Sequence, residues 1–224
     1  IIMNITSRTS IEEILNHLQF NITTSDARKI ESYIDILFKW HERKNLISTR
    51  NKEYFLQRDL YDCLCLISHI PEGDSLDTGT GAGLPGLILS IFRPNDSISL
   101  IDRRENAIRF LEHVKVKLKL ENINIFKQDI DKMKITIAPK SILIKNFSNK
   151  KISKLDFQSR VEYFVNLFRK KLNCRAPIII LTGSNVLSFS IDDLCGILNI
   201  KIDASIKKIN TPFFDTNRFI LELS

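Results

Sequence analysis

Four of the 7 glycines in this 224-residue chain fall between Gly79 and Gly86, in the run Leu76-Asp77-Thr78-Gly79-Thr80-Gly81-Ala82-Gly83-Leu84-Pro85-Gly86. A chain this poor in glycine has gathered it where a strand must turn sharply into a helix. Glycine permits positive φ there and lets another group approach the backbone without meeting a Cβ, and Pro85 suits the first turn of the helix that follows. The expectation is a ligand lying against this turn. Two cofactor classes compete for it. Gly81 to Gly86 satisfies the dinucleotide pattern, and Asp102, at the end of the second strand, is placed to hold ribose hydroxyls. A carboxylate serves the ribose of NAD and of S-adenosylmethionine alike, so Asp102 does not decide between them. Asp77 discriminates better. Lying before the first glycine, it makes the segment Asp-x-Gly-x-Gly-x-Gly, the form taken by methyltransferase cofactor loops. An acid there can orient the loop or bind the cationic amino-acid part of the ligand, a task that a pyrophosphate does not set.

Other chemistries find little support. Cys63, Cys65, Cys174 and Cys195 are too few for a disulfide framework, and Cys63-Leu64-Cys65 has one spacer where redox and zinc motifs commonly have two or more. His17, His41, His69 and His113 are scattered, so no metal site is expected. The 33 basic against 26 acidic residues give a net charge of +7, which favours a phosphate-rich partner. Basic residues cluster around the first helices (Arg28, Lys29, Lys39, Arg43, Lys44, Arg50, Lys52, Arg58). Of these, Lys39, Lys44, Arg50 and Arg58 are the candidates for tracking the phosphates of such a partner, with an ordinary solvated face as the alternative. A second run is Lys145, Lys150, Lys151 and Lys154. Trp40 borders the apolar stripe of its helix and reads as a packing residue rather than a base-stacking one.

The elements that must hold these residues fall into two regions. Hydrophobic residues make up 43% of the chain and charged ones 26%, which is the profile of a folded protein with one full core. Before Ser75 the pattern is helical. Ser10 to Glu13 forms a capping box, a longer helix follows Ser25 or Asp26, and a third runs from about Lys52 to His69. After Ser75, β-rich runs at Ser75–Thr78, Ser97–Asp102, Ile123–Phe126, Ser141–Ile144 and Pro177–Thr182 alternate with helices, the clearest at Glu105–Leu120 and Arg160–Leu172. That alternation predicts a mostly parallel sheet covered on both faces. Two later stretches, near Ile200–Ile206 and Arg218–Leu223, predict an antiparallel hairpin on the sheet edge. The expected division is a helical extension over 1–72 packed on a core over 73–224. No apolar run approaches the ~20 residues that span a bilayer, and no secretion signal is read at the start of the sequence. A cytoplasmic monomer without a membrane partner is therefore expected.

Beyond the glycine loop, the chain resembles the ribosomal RNA small-subunit methyltransferase G family, also called glucose-inhibited division protein B. Lys39-Trp40 and Lys44-Asn45-Leu46 resemble its Lys-Trp-Asn and Asn-Leu-Thr signatures, and Arg58 with Asp62 its Arg-His-x-x-Asp-Ser. Leu100-Ile101-Asp102, Arg109-Phe110-Leu111 and Leu120-Glu121-Asn122-Ile123 match in order and spacing. The similarity is continuous from about Tyr33 to Asp131.

The resemblance implies a class I S-adenosylmethionine-dependent methyltransferase fold, a Rossmann-like α/β sheet with an N-terminal helical extension. It further implies methylation of N7 of a guanine in small-subunit ribosomal RNA, free or in a ribosomal particle. Family cofactor contacts carry over to Gly79, Leu84, Ile130 and Asp131, beside Asp77, Gly81, Gly83 and Asp102. The family's next contact, an arginine after the fourth strand, falls on Asn146, with Lys145 before it. Further departures are Asp59 for a histidine, Thr182 beside Gly183 for a lysine, and Asn217-Arg218 for an Arg-His pair. Guanine N7 carries a lone pair and no proton, so direct in-line attack needs no general base, and no catalytic acid or base is assigned. The alternatives are an RNA-binding relative that has lost turnover, suggested by those departures, and a nicotinamide oxidoreductase.

Overall fold

The computed structural model describes residues 9–133, 138–147, 151–213 and 216–224. Its first helix, α1 (Ile11–His17), begins where the Ser10 hydroxyl accepts the Glu13 amide at 3.0 Å, one half of the expected capping box. Thr23 caps α2 (Thr24–Lys44) in the same way, and that helix buries Ile30, Tyr33, Ile34, Leu37 and His41 on one face. The third helical stretch is not one regular helix. α3 (Lys52–Phe55) passes through a wide π-type turn (Leu56–Leu60) into α4 (Tyr61–Ile67). The wide turn takes up an extra residue, and the segment that contains it is buried on several sides, Asp59, Tyr61 and Asp62 as well as Leu56, Leu60, Cys63, Leu64 and Ile67.

From Ser75 onward, strands and helices alternate: β1 (Ser75–Thr78), α5 (Gly86–Phe92), β2 (Ile98–Asp102), α6 (Glu105–Leu118), β3 (Ile123–Lys127), β4 (Ser141–Lys145), α7 (Phe157–Val165), β5 (Ile178–Thr182), α8 (Ile191–Leu198), β6 (Ala204–Ile209) and β7 (Arg218–Leu223). The sheet order is β3-β2-β1-β4-β5-β7-β6. The first five strands are parallel, with Ser75 opposite both Ile98 and Ser141, and β7 runs antiparallel to β5 and β6. β1, β2 and β4 are buried along their whole length, as a sheet covered on both faces requires. An antiparallel strand inserted between the last two positions departs from the 3-2-1-4-5-6 order of dinucleotide folds.

Two details differ from the sequence reading. α8 was not anticipated, and the strand expected near Ile200–Ile206 lies at Ala204–Ile209. Asn199 ends α8 in the left-handed region, and Ile200 and Ile202 then complete the apolar cover of the sheet, so their alternation imitates a strand.

One apolar cluster joins the helical extension to α5, α6 and one face of the sheet, and a second lies beneath α7 and α8 on the other face. The extension also reaches the glycine loop directly, where the buried Tyr33 hydroxyl donates to the Ala82 carbonyl at 2.9 Å. Among the described residues no helix is long and apolar enough to cross a membrane.

Candidate cofactor and substrate site

Parallel strands gather their carboxyl ends at one edge, and the turn after β1 lies there. Gly79 (φ +67°) and Gly81 (φ +59°) both occupy the left-handed region. The Gly79 and Thr80 amides donate to the Ile101 carbonyl at 2.8 and 3.0 Å, and the Gly81 amide donates to Asp102 Oδ2 at 2.9 Å. The loop is thereby tied to the end of β2. Asp77 ties it from behind, with Oδ2 accepting the Thr80 hydroxyl at 2.7 Å and the Gly86 amide at 2.8 Å. Its Oδ1 is buried and has no hydrogen-bond partner among the described residues. Burial pushes the Asp77 carboxyl up to about 6, against the Thr80 and Gly86 hydrogen bonds and the Lys145 charge, which lower it. Asp77 lines neither cavity at this edge, so in this arrangement it orients the loop.

Two cavities meet over the glycines. The first, of about 210 Å³, lies between the ends of β1, β2 and β3 and is lined by Ile101, Asp102, Gln128, Asp129, Ile130 and Phe147. The second, of about 360 Å³, lies between the loop, the end of β4 and the connection after α2, and is lined by Asn45 to Ser48, Asp59, Thr80, Leu84 and Lys145. Gly79, Arg104 and Asn146 belong to both. The glycines form a cradle: a Cβ on Gly79 would lie 2.0 Å from the Phe147 ring, and one on Gly81 2.9 Å from Arg104. A bare backbone turn, an acidic strand end and the apolar Ile101 and Ile130 beside it suit a nucleoside carrying a ribose diol.

Gly79, Gly81, Leu84, Asp102, Ile130, Lys145 and Asn146 therefore sit together or along the cavity walls. Gly83 instead turns toward Leu87 and Leu111 in the helix packing. Asp131 lines neither cavity; it accepts the Tyr163 hydroxyl at 2.9 Å and pairs with Lys151 at 2.8 Å. Its neighbour Asp129 lines the first cavity in its place. Asp129, Gln128, Arg103, Arg104 and Phe147 were missed in the sequence, although residues just past a parallel strand end are the ones such a site uses.

The basic candidates divide. Lys39, Lys44 and Arg50 are exposed. Arg58 is held internally, donating to both Asp59 and Ser48 and lying 4.6 Å over the Tyr54 ring. Of the later run, Lys154 is exposed, Lys151 pairs with Asp131, and Lys150 lies outside the described residues. Trp40 packs against Phe110 and donates to His113 at 2.8 Å, which is the packing role expected of it.

Beneath the second cavity lies a buried ionic group. Lys145 Nζ donates to Asp59 Oδ1 at 2.6 Å, and Arg58 donates to Asp59 Oδ2 from Nε and Nη2 at 3.1 and 2.6 Å. Burial acts to raise the Asp59 carboxyl, but Lys145 and Arg58 outweigh it and hold it below its ordinary value. Next to it, Asp62 Oδ2 accepts both Nε and Nη2 of Arg218, on β7. Asp59 and Arg218, read in the sequence as departures, are thus partners in buried pairs.

A model of the family described as rRNA small subunit methyltransferase G matches residues 26–160, which include every residue lining the two cavities. The chain belongs to that family. Among relatives, the ribosomal RNA small subunit methyltransferase G of Ruthia magnifica subsp. Calyptogena magnifica is 31% identical over 139 residues, covering 62% of this chain and 68% of that protein. Among solved structures, the human methyltransferase 10 domain containing protein superposes with a TM-score of 0.55 at 13% identity, over 87% of this chain and 97% of that one. A SAM dependent methyltransferase from Aquifex aeolicus does so with a TM-score of 0.51 at 17% identity, over 72% and 89%. At these identities the likeness to the solved structures is one of fold, and the fold is that of class I methyltransferases.

Proposed function

We propose that this member of the family uses S-adenosylmethionine to methylate N7 of a guanine in small-subunit ribosomal RNA. The observation that carries the reading is that the family match encloses both adjoining cavities together with the acidic, glycine-lined turn between them. The two residue patterns that left the cofactor class open are resolved by the sheet, whose antiparallel β7 is foreign to the dinucleotide order.

In this reading Asp102 takes the ribose hydroxyls, Ile101 and Ile130 pack against the adenine, and Gly79 and Gly81 admit the ligand close to the backbone. S-adenosylmethionine supplies a methyl group on an electrophilic sulfonium. The acceptor guanine enters the second cavity, and the residues shared by both cavities, Gly79, Arg104 and Asn146, stand where the two ligands meet. N7 has no proton to lose, so the chain's task is to hold nucleophile and methyl in line, and proximity supplies the rate. Lys44 and Arg50 bracket the Asn45–Ser48 wall of the second cavity and, with Lys39, are placed to meet phosphates of arriving RNA. Ribosomal RNA as substrate puts the protein in the cytoplasm.

The test is transfer of labelled methyl from S-adenosylmethionine to deproteinised small-subunit RNA and to intact subunits, with the modified base mapped. The expected product is 7-methylguanine. Cofactor binding without transfer to either substrate would instead favour an RNA-binding relative that has lost turnover.

A further inference from the structure

Lys145 ends β4 and is almost entirely enclosed, its side chain 5% exposed and that of Asp59 7%. An enclosed ammonium is costly unless its charge is answered. Here one carboxylate answers two cations, because Asp59 also receives the Arg58 fork. Asp77 and Asp62 lie close enough to feel the Lys145 charge, but neither accepts from it, and the only hydrogen bond that Nζ makes among the described residues is the one to Asp59. An ammonium has three donors. The geometry points to an anionic oxygen as the missing partner.

We infer that Lys145, held by Asp59, binds the amino-acid carboxylate of S-adenosylmethionine. The inference rests on the cofactor reading above. Asp102 places the nucleoside in the first cavity, the glycine turn leads across the shared Gly79 to Lys145, and the carboxylate is the one anionic group of a ligand whose other charges, the sulfonium and the ammonium, are positive. A second source of the same chemistry is an RNA phosphate. The enclosure of Lys145 at the base of the cavity favours the smaller group, and the exposed lysines elsewhere serve phosphates.

Titration calorimetry with S-adenosylmethionine and its decarboxylated analogue tests this, because the two differ only in that carboxylate. The wild-type protein should prefer the carboxylated compound by roughly tenfold to a hundredfold, the worth of one charge-assisted hydrogen bond. Lys145→Met should lose that preference by weakening S-adenosylmethionine alone, and Lys145→Arg should restore part of it. The wild-type comparison needs no variant and stands even if Lys145→Met fails to fold. Equal wild-type affinity for the two compounds overturns the assignment and leaves the cofactor reading intact, whereas binding of neither overturns both. A Lys145→Met protein that keeps the preference and loses RNA affinity assigns the ammonium to a phosphate and overturns the inference.

Discussion

Arg104 lays its guanidinium along the Asp102 carboxylate, Nε to Oδ1 and Nη2 to Oδ2, both at 3.2 Å. The carboxylate assigned to the ribose is therefore already paired, and on the side facing the loop it also accepts the Gly81 amide. The arginine is 51% exposed, so exchanging it for a ribose diol is cheap, since exposed pairs contribute about 0–1 kcal/mol. Arg104→Ala should change cofactor affinity by less than about 1 kcal/mol. Asp102→Ala should cost more, about 1–3 kcal/mol, because it removes the ribose contact and leaves the Gly81 amide without its acceptor. Calorimetric affinities for the two variants check this, and equal effects would count against the ribose role.

A side chain on Gly79 meets two obstacles. The positive φ costs an L-residue roughly 1–2 kcal/mol, and the Phe147 ring occupies the position of its Cβ. Gly79→Ala should lower stability by about 2 kcal/mol or more in denaturant unfolding. Combined with Phe147→Ala, the loss should be smaller than the sum of the two single losses, because the clash is gone and only the φ cost remains. Additive losses would mean that the ring does not stand over the glycine.

Asp77 makes stability depend on pH. Its carboxyl titrates near 6 in the folded chain against 3.8 as its ordinary value. Between those values the folded protein keeps a proton that the unfolded chain has released, so stability falls as pH rises through this window and levels off above it. The loss is on the order of 2–3 kcal/mol. Asp77→Asn cannot titrate, so the stability of the wild type relative to this variant should fall by that order between about pH 4 and pH 7. A flat difference would show that the acid is ionised throughout.

The exposed basic residues and the internally paired Arg58 should separate in RNA binding. Replacing Lys39, Lys44 and Arg50 together by alanine should flatten the salt dependence of affinity, with cofactor affinity unchanged. Arg58→Met should leave the salt slope alone and lower stability by about 1–3 kcal/mol, since it removes one of the two cations that answer Asp59. An unaltered slope in the triple variant would return those lysines and Arg50 to the solvated surface.

Much of the arrangement was legible in the residues because it follows from local rules. The period of the apolar positions marked α2 and α6, the Ser10 cap marked α1, and the concentration of glycine marked the turn. The place of Asp102 beside the turn was legible because the end of the second parallel strand lies next to the turn after the first. Less legible was what depends on contacts between distant segments. Asp59 and Lys145 come from a helix before the sheet and from its fourth strand, and Asp62 meets Arg218 from the last strand, so neither pairing has a sequence period. Arg58 looked like a surface charge because a sequence shows the sign of a side chain and not its partners. The wide turn at Leu56–Leu60 was not legible because the segment around it is buried on several sides, so no single apolar stripe marks a change of phase.

The hydroxyl that Tyr33 sends to the Ala82 carbonyl, together with the apolar cluster running from Ile14 to the sheet, bears on how the molecule comes apart. A helical segment that supplies a hydrogen bond to the glycine turn and shares one interior with it cannot melt first and leave that turn as it was. Extension and sheet should therefore exchange their amides as one cooperative unit. Loosening α2 along its buried face should be felt at the glycine turn as increased local opening, at a distance from any residue that lines the two cavities.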